Sequence, residues 1–312
     1  MNQPTRLYRG DLVEVKAPDE ILQTLDADGA LDHLPFMPEM LQLCGRRFRV
    51  SRRTFPVCVT ASSPREFRGD DVVTLDGVRC SGAAHDGCQK ACMIFWREAW
   101  LRKVEDMAAQ SQVDLRSMDR LRTRLKVSNG AKAYYCQASE LLKATDLLSR
   151  WRKLGRLLGG LRAGNFTLLQ TAQYISIWLF LKARRVLVGA HEHGTRESTP
   201  VESLNLQPGE WVEVKPMQSI IATLDEHGLN RGLWFSPDMH RLCGLRRQVK
   251  GRLDKIILDG TGQMRQLRNT VCLEDSTCGC CYMGFGMGGC SRCELTYWRE
   301  IWLRRSNGPG DR

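Results

Sequence analysis

Residues 10 to 50, GDLVEVKAPDEILQTLDADGALDHLPFMPEMLQLCGRRFRV, align without a gap on residues 209 to 249, GEWVEVKPMQSIIATLDEHGLNRGLWFSPDMHRLCGLRRQV, and 19 of the 41 positions are identical. Chance would leave about two or three, so the chain contains one unit twice. The match resumes downstream, TLDGVRC at 74–80 with CLEDSTC at 272–278 and WREAWLR at 96–102 with WREIWLR at 298–304. Each copy must bury its own apolar core, and residues kept in both serve that fold before they serve any single active site. Val13/Val212, Val15/Val214, Phe36/Phe235 and Met40/Met239 read as core. Gly10/Gly209, Gly29/Gly228 and Gly45/Gly244 read as turns.

GDLVEVK and GEWVEVK alternate apolar and polar behind a glycine, the pattern of a half-buried strand. PDEILQTLD and MQSIIATLD read as a short helix or turn, CGRRFRVSRR and DDVVTLDGV as strands, and the residues around Asp259-Gly260-Thr261-Gly262 as a hairpin. In WREAWLR a helix would put Trp96 and Trp100 on one face and Glu98 four residues before Arg102. The G-x-x-V-x-V-K opening resembles the first strand of SH3-like barrels. The expected fold class is α+β: two homologous, small, mostly-β modules of SH3-like barrel type, each with a Cys cluster and a terminal Trp-containing helix, joined by a helical middle region. The boundaries are 8–104 for the first module, 105–186 for the helical middle, 187–207 for a linker, 208–305 for the second module and 306–312 for a disordered tail.

The chain has 13 cysteines, an odd number, and its N-terminus MNQPTRLYRGDLVEV lacks an apolar run with a cleavage site. The N-terminus points to a cytoplasmic setting, for which 13 cysteines is a high count, and in a reducing compartment clustered thiols bind metal or react more often than they form disulfides. Superposing the copies pairs Cys44 with Cys243, Cys80 with Cys278, Cys88 with Cys290 and, approximately, Cys92 with Cys293. Four recurring positions suit tetrahedral zinc, with Cys88/Cys92 and Cys290/Cys293 as the close pairs and Cys44/Cys80 and Cys243/Cys278 as the distant ones. His85 can replace a thiolate in the first copy, and Cys280 and Cys281 are surplus thiols in the second. The candidate metal ligands are therefore Cys44, Cys80, His85, Cys88, Cys92, Cys243, Cys278, Cys280, Cys281, Cys290 and Cys293. Zn2+ ranks ahead of an iron–sulfur cluster because the common ferredoxin spacings are absent.

Rival readings accompany several of these residues. Cys44 and Cys243 also suit buried small hydrophobes, and His85 beside Cys88 also suits a nucleophile with its base, although the second copy has no histidine there. Cys136 in AYYCQASEL reads as core, His191 and His193 as exposed linker residues, and GFGMGGC at 284–290 as a flexible ligand loop. Asp26/Asp225 and Glu39/Asp238 read as caps and surface pairs. No nucleotide-binding, P-loop, zinc-protease or nucleophile-elbow motif sits in a suitable setting, which favours a protein that is not an enzyme.

In the middle region, Leu147, Trp151, Leu154, Leu158 and Leu161 recur at helical spacing, with Arg150, Arg152, Lys153 and Arg156 largely elsewhere, as in an amphipathic basic helix. FTLLQTAQYISIWLFLKARR is more apolar but interrupted by Gln170, Thr171, Gln173 and Ser176, so it reads as a buried or interfacial helix and not as a transmembrane segment. A net charge of +11 favours an anionic partner.

LPFMPEM, GVRCSGAAHDGCQKAC, WREAWL and LNLQPGEWVEVK resemble a group of uncharacterised bacterial proteins associated with biosynthetic gene clusters. The resemblance covers most of the chain, departs around CGCCYMGFGMGGC and implies no particular activity. The leading expectation is a metal-stabilised two-module binding or adaptor protein that engages a partner enzyme or an anionic macromolecule. The alternatives are an accessory enzyme, or an iron–sulfur or thiol redox component, of a bacterial biosynthetic pathway, and a nucleic-acid-binding regulator. The expected partner is a protein, with nucleic acid and peripheral membrane contact as the other candidates.

Overall fold

The computed structural model describes residues 6–59, 64–106, 111–130, 132–188, 192–278 and 291–308. In the first copy, β1 (Leu12–Val15), β2 (Arg47–Arg53), β3 (Val72–Arg79), β4 (Met93–Arg97) and β5 (Leu101–Lys103) form an antiparallel sheet of order β4-β3-β2-β1-β5. The second copy consists of β6 (Trp211–Val214), β7 (Arg246–Arg252), the hairpin β8 (Lys255–Ile257) and β9 (Met264–Gln266), β10 (Thr270–Thr277), β11 (Leu295–Arg299) and β12 (Leu303–Arg305). Its sheet has the matching order β11-β10-β7-β6-β12. The two sheets share a register shift, between Val50 and Arg52 on β2 and between Val249 and Gly251 on β7. The fold is thus α+β with two similar modules.

Alternation on β1 and β6 turns Val13, Val15, Val212 and Val214 inward with no exposed surface. Trp96 and Trp100 in one copy, and Trp298 and Trp302 in the other, are also fully buried. Phe36 meets Trp100 edge-on at 5.3 Å, as Phe235 meets Trp302 at 5.4 Å.

WREAWLR is not a helix. Trp96 and Arg97 end β4, Glu98–Trp100 form one 3-10 turn, and Leu101 opens β5. β4 pairs with β3 (Val73 opposite Trp96), whereas β5 pairs with β1 (Val15 opposite Leu101). A continuous helix would leave both strands without these ladder hydrogen bonds, and the single turn brings both indoles into the core.

The segments ahead of the modules belong to them. Leu7 and its equivalent Leu206 are buried, and their backbone N–H groups donate to Glu98 Oε1 and Glu300 Oε1. The expected linker is therefore structured at its end: Leu204 and Asn205 also donate to Glu300, and Gly194 N–H donates to Asp225 O.

The middle region carries α1 (Leu115–Arg124), α2 (Gln137–Ala144), α3 (Arg150–Arg162) and α4 (Leu168–Val188), and a strand, Thr145–Leu147, that pairs with Arg65–Phe67. α2 buries Ala138, Leu141 and Ala144 in the first module's core. The β8–β9 hairpin of the second copy packs over the same place: Gly260 N–H donates to Ala138 O, and Tyr134 N–H donates to Gly262 O. Gly262 has φ +71°, and a Cβ there would lie 2.3 Å from Tyr134 O, so the approach requires glycine.

Candidate functional site: a thiol cavity where the copies meet

Between β3 and β4 the chain turns tightly through SGAAHDGCQKAC. His85 and Gly87 N–H donate to Gly82 O, and Cys88 N–H donates to His85 O. Gly82 has φ +69°, and a Cβ on it would lie 2.0 Å from Cys88 O. The turn brings Cys88 back toward Cys80 and Cys92, whose backbones are joined by Cys80 N–H to Cys92 O at 2.8 Å. The three thiols line a cavity of about 30 Å³ together with Cys136, which stands immediately before α2. Met37, His85, Gln137 and Ile257 complete much of the wall. Ile257 comes from the second copy, and its N–H donates to Cys88 Sγ at 3.3 Å.

Burial favours the protonated form of three of these thiols, Cys80, Cys92 and Cys136. Burial pushes Cys80 well above the ordinary thiol value, with the Glu39 carboxylate adding to the effect. Burial pushes Cys92 up to about 12 and raises Cys136 as well. A nucleophilic cysteine needs the opposite, a stabilised thiolate, so this setting does not activate these three for covalent catalysis.

His85 is buried and engaged at both ring nitrogens, Nδ1 with Glu39 Oε1 at 2.7 Å and Nε2 with Tyr135 O at 3.0 Å. Desolvation alone would lower the imidazolium's pKa, but the hydrogen bond and charge of Glu39 reverse this and raise it. Desolvation likewise opposes ionisation of Glu39, and His85 with the Ala84 N–H outweighs it and lowers the carboxyl. The result is a buried ion pair. With both nitrogens engaged, His85 has no free lone pair with which to bind a metal or act as a base in this arrangement. Glu39, expected at the surface, is 6% exposed; its Oε1 also accepts from Cys80 Sγ at 3.8 Å, and its Oε2 has no hydrogen-bond partner.

The copies diverge at this turn. Arg79 lies opposite Met93 and Thr277 opposite Leu295, which sets Cys92 level with Glu294 and Cys293 level with Ala91. Cys278 N–H accordingly donates to Glu294 O, as Cys80 N–H does to Cys92 O, and Ala91 and Cys293 share a left-handed φ of 50° and 43°. The approximate pairing of Cys92 with Cys293 is therefore one residue out of register, and the fourth thiol of the first copy has a carboxylate for its counterpart. Cys278 and Cys293 are half-buried. Cys280, Cys281 and Cys290 lie outside the described residues, as do His191 and all of GFGMGGC.

The same register makes Lys90 and Arg292 equivalents, and both cations bind Asp259 at the hairpin tip. Lys90 Nζ lies 2.6 Å from Asp259 Oδ1, and Arg292 Nη1 lies 2.8 Å from Asp259 Oδ2. Glu294 completes a set of two cations and two anions between the copies, with Lys90, Asp259 and Arg292 almost fully buried. Desolvation disfavours the charge on Lys90 and Arg292, but Glu294 and Asp259 more than offset it and raise both.

The remaining predicted residues lie elsewhere. Cys44 is in the first core, not on the cavity wall, and burial raises its thiol to about 12; Cys243 is its half-buried equivalent. Asp26 and Asp225 are caps, each accepting from backbone N–H groups two and four residues on. His193 Nδ1 lies 2.8 Å from Glu226 O. Among the described residues, no three Cys, His, Asp or Glu side chains already stand at metal-holding separation. Sequence reasoning missed Cys136, Glu39 and Asp259; Cys136 and Asp259 reach the site only through tertiary packing. No family model matches the chain, and comparison with curated proteins and with solved structures finds no match either.

Proposed function

We propose that the chain is a non-enzymatic, two-module binding protein whose copies are fastened around a thiol site that takes Zn2+. The observation that carries this reading is the convergence of Cys80, Cys88, Cys92 and Cys136, from three separate segments, on one small cavity. Four sulfurs make a soft donor set suited to zinc, and metal binding would displace the protons that burial keeps on Cys80, Cys92 and Cys136. The Glu39 carboxylate, whose Oε1 lies beside Cys80, adds local negative potential. The thiols would have to move together to hold a metal, which would then staple α2 to the β3–β4 turn beneath the second copy's hairpin. The strand order β4-β3-β2-β1-β5, with a 3-10 turn before β5, supports the SH3-like barrel reading of each module. Barrels of this kind serve here as a scaffold for an anionic partner, in keeping with the net charge of +11.

The test is elemental analysis and absorption spectroscopy on anaerobically purified protein. Colourless protein carrying zinc that is lost in Cys136→Ser supports the reading. Iron with sulfide absorption would replace it with a redox component, and metal-free protein would overturn it.

A further inference from the structure

α4 leaves one of its faces exposed. Its N-terminal end is anchored where Phe166, buried against Gly160, meets Tyr174 edge-on at 5.6 Å. Beyond that point it exposes large apolar side chains: Leu168 is 77% exposed, Leu169 80%, Phe180 67% and Leu187 82%. These positions are ordered. Leu168, Leu179 and Val186 are separated by 11 and 7 residues, and so are Leu169, Phe180 and Leu187. At 3.6 residues per turn, such steps make two adjacent ridges along one face. Ala172, Ser176 and Ala183, all exposed, lie between them. The face therefore forms a stripe the full length of the helix, turned toward solvent.

The helical sequence that carries this stripe has charge of one sign. Residues 150–188, which cover α3 and α4, hold eight Lys or Arg and no Asp or Glu. Lys182, exposed, flanks the stripe with its ammonium 5.2 Å from the Trp178 ring centroid, and a long side chain there can keep its charge in water while its stem covers apolar surface. No helix among the described residues is long and apolar enough to cross a membrane.

We propose that α4 is an interfacial helix that lays this stripe on an anionic lipid surface, with Lys182 at its edge toward the headgroups and the positive charge of residues 150–188 favouring anionic lipid. Apolar burial and attraction to anionic lipid act together in such helices. A nucleic acid would satisfy the charge but leave the stripe in water, and a second copy of α4 would cover the stripe but bring like charges together.

The experiment is co-sedimentation of the full-length protein with vesicles of phosphatidylglycerol and phosphatidylcholine in equal parts, against phosphatidylcholine alone. Binding is expected to the anionic vesicles, to weaken with added salt, and to fall about fivefold in Lys182→Gln, the effect of one cation near the surface. Phe180→Asp, at an exposed position, should abolish binding without moving the thermal midpoint, and Phe180→Leu should retain it. Three results would each overturn the proposal: no binding to anionic vesicles, undiminished binding by Phe180→Asp, or salt-insensitive self-association that buries the stripe without lipid.

Discussion

Trp100 donates its indole N–H to Thr24 Oγ1 at 3.0 Å, and in the other copy Trp302 donates to Thr223 Oγ1 at the same distance. The bond ties the 3-10 turn before the module's last strand to the turn after a short helix, Pro18–Leu22 in one copy and Met217–Ile221 in the other. Thr24→Val and Thr223→Val keep the shape but leave a buried indole N–H without its acceptor. Each should cost about 1–3 kcal/mol, read by denaturant unfolding, and the two losses should be of similar size because the surroundings are repeated. A negligible effect in one copy alone would show that the duplicated bond is not used equally.

Asp259 holds two buried cations, Lys90 and Arg292, at the junction of the copies. Asp259→Asn removes its charge and leaves Glu294 as the anion of this set. The expected loss is about 3–5 kcal/mol, the usual cost of breaking a buried pair. Hydrogen exchange should locate it, with the Ile257 and Tyr134 amides losing protection before the strands of either sheet.

His85 and Cys136 separate ion pairing from metal binding. His85→Gln should destabilise the β3–β4 turn, because Glu39 loses its cation, while zinc content stays at the wild-type value in the folded fraction. Cys136→Ser should lower zinc content with a smaller disturbance of the apoprotein. The reverse pattern in elemental analysis would transfer the ligand role to His85.

Metal removal gives a direct energetic readout. A chelator should lower the thermal midpoint, and added Zn2+ should restore it, since a ligand that binds the folded state stabilises it by mass action. An unchanged midpoint with metal fully removed would mean that the thiols serve only as packing.

Gly262 tests the approach of the hairpin. Gly262→Ala places a methyl 2.3 Å from Tyr134 O at φ +71°. A loss above about 1 kcal/mol is expected, measured by chemical denaturation.

Much of the scaffold was legible because duplication exposes what a fold requires. Val13 and Val212, the paired tryptophans, the strands at Arg47–Arg53 and Val72–Arg79 and the Lys255–Gln266 hairpin all follow from periodicity and turn residues near one another in sequence. WREAWLR misled because spacings of four and of two both bring its tryptophans to one side, and strand pairing on β1 and β3 decided between them. The Cys92/Cys293 correspondence misled because similar C-x-x-C-like spacings hide a one-residue offset that the ungapped count back from Trp96 and Trp298 reveals.

The sequence by itself determined that there are two modules, which residues form their cores and that thiols cluster near residue 88. Only the tertiary structure decided which thiols share a cavity, since Cys136 arrives on α2 and Ile257 on a hairpin of the other copy. It also decided that Glu39 is buried against His85, that Asp259 locks the copies together and that the apolar face of α4 is left uncovered. Periodicity reports which side of an element is apolar, whereas the partner across that side is set by long-range packing that no local pattern encodes.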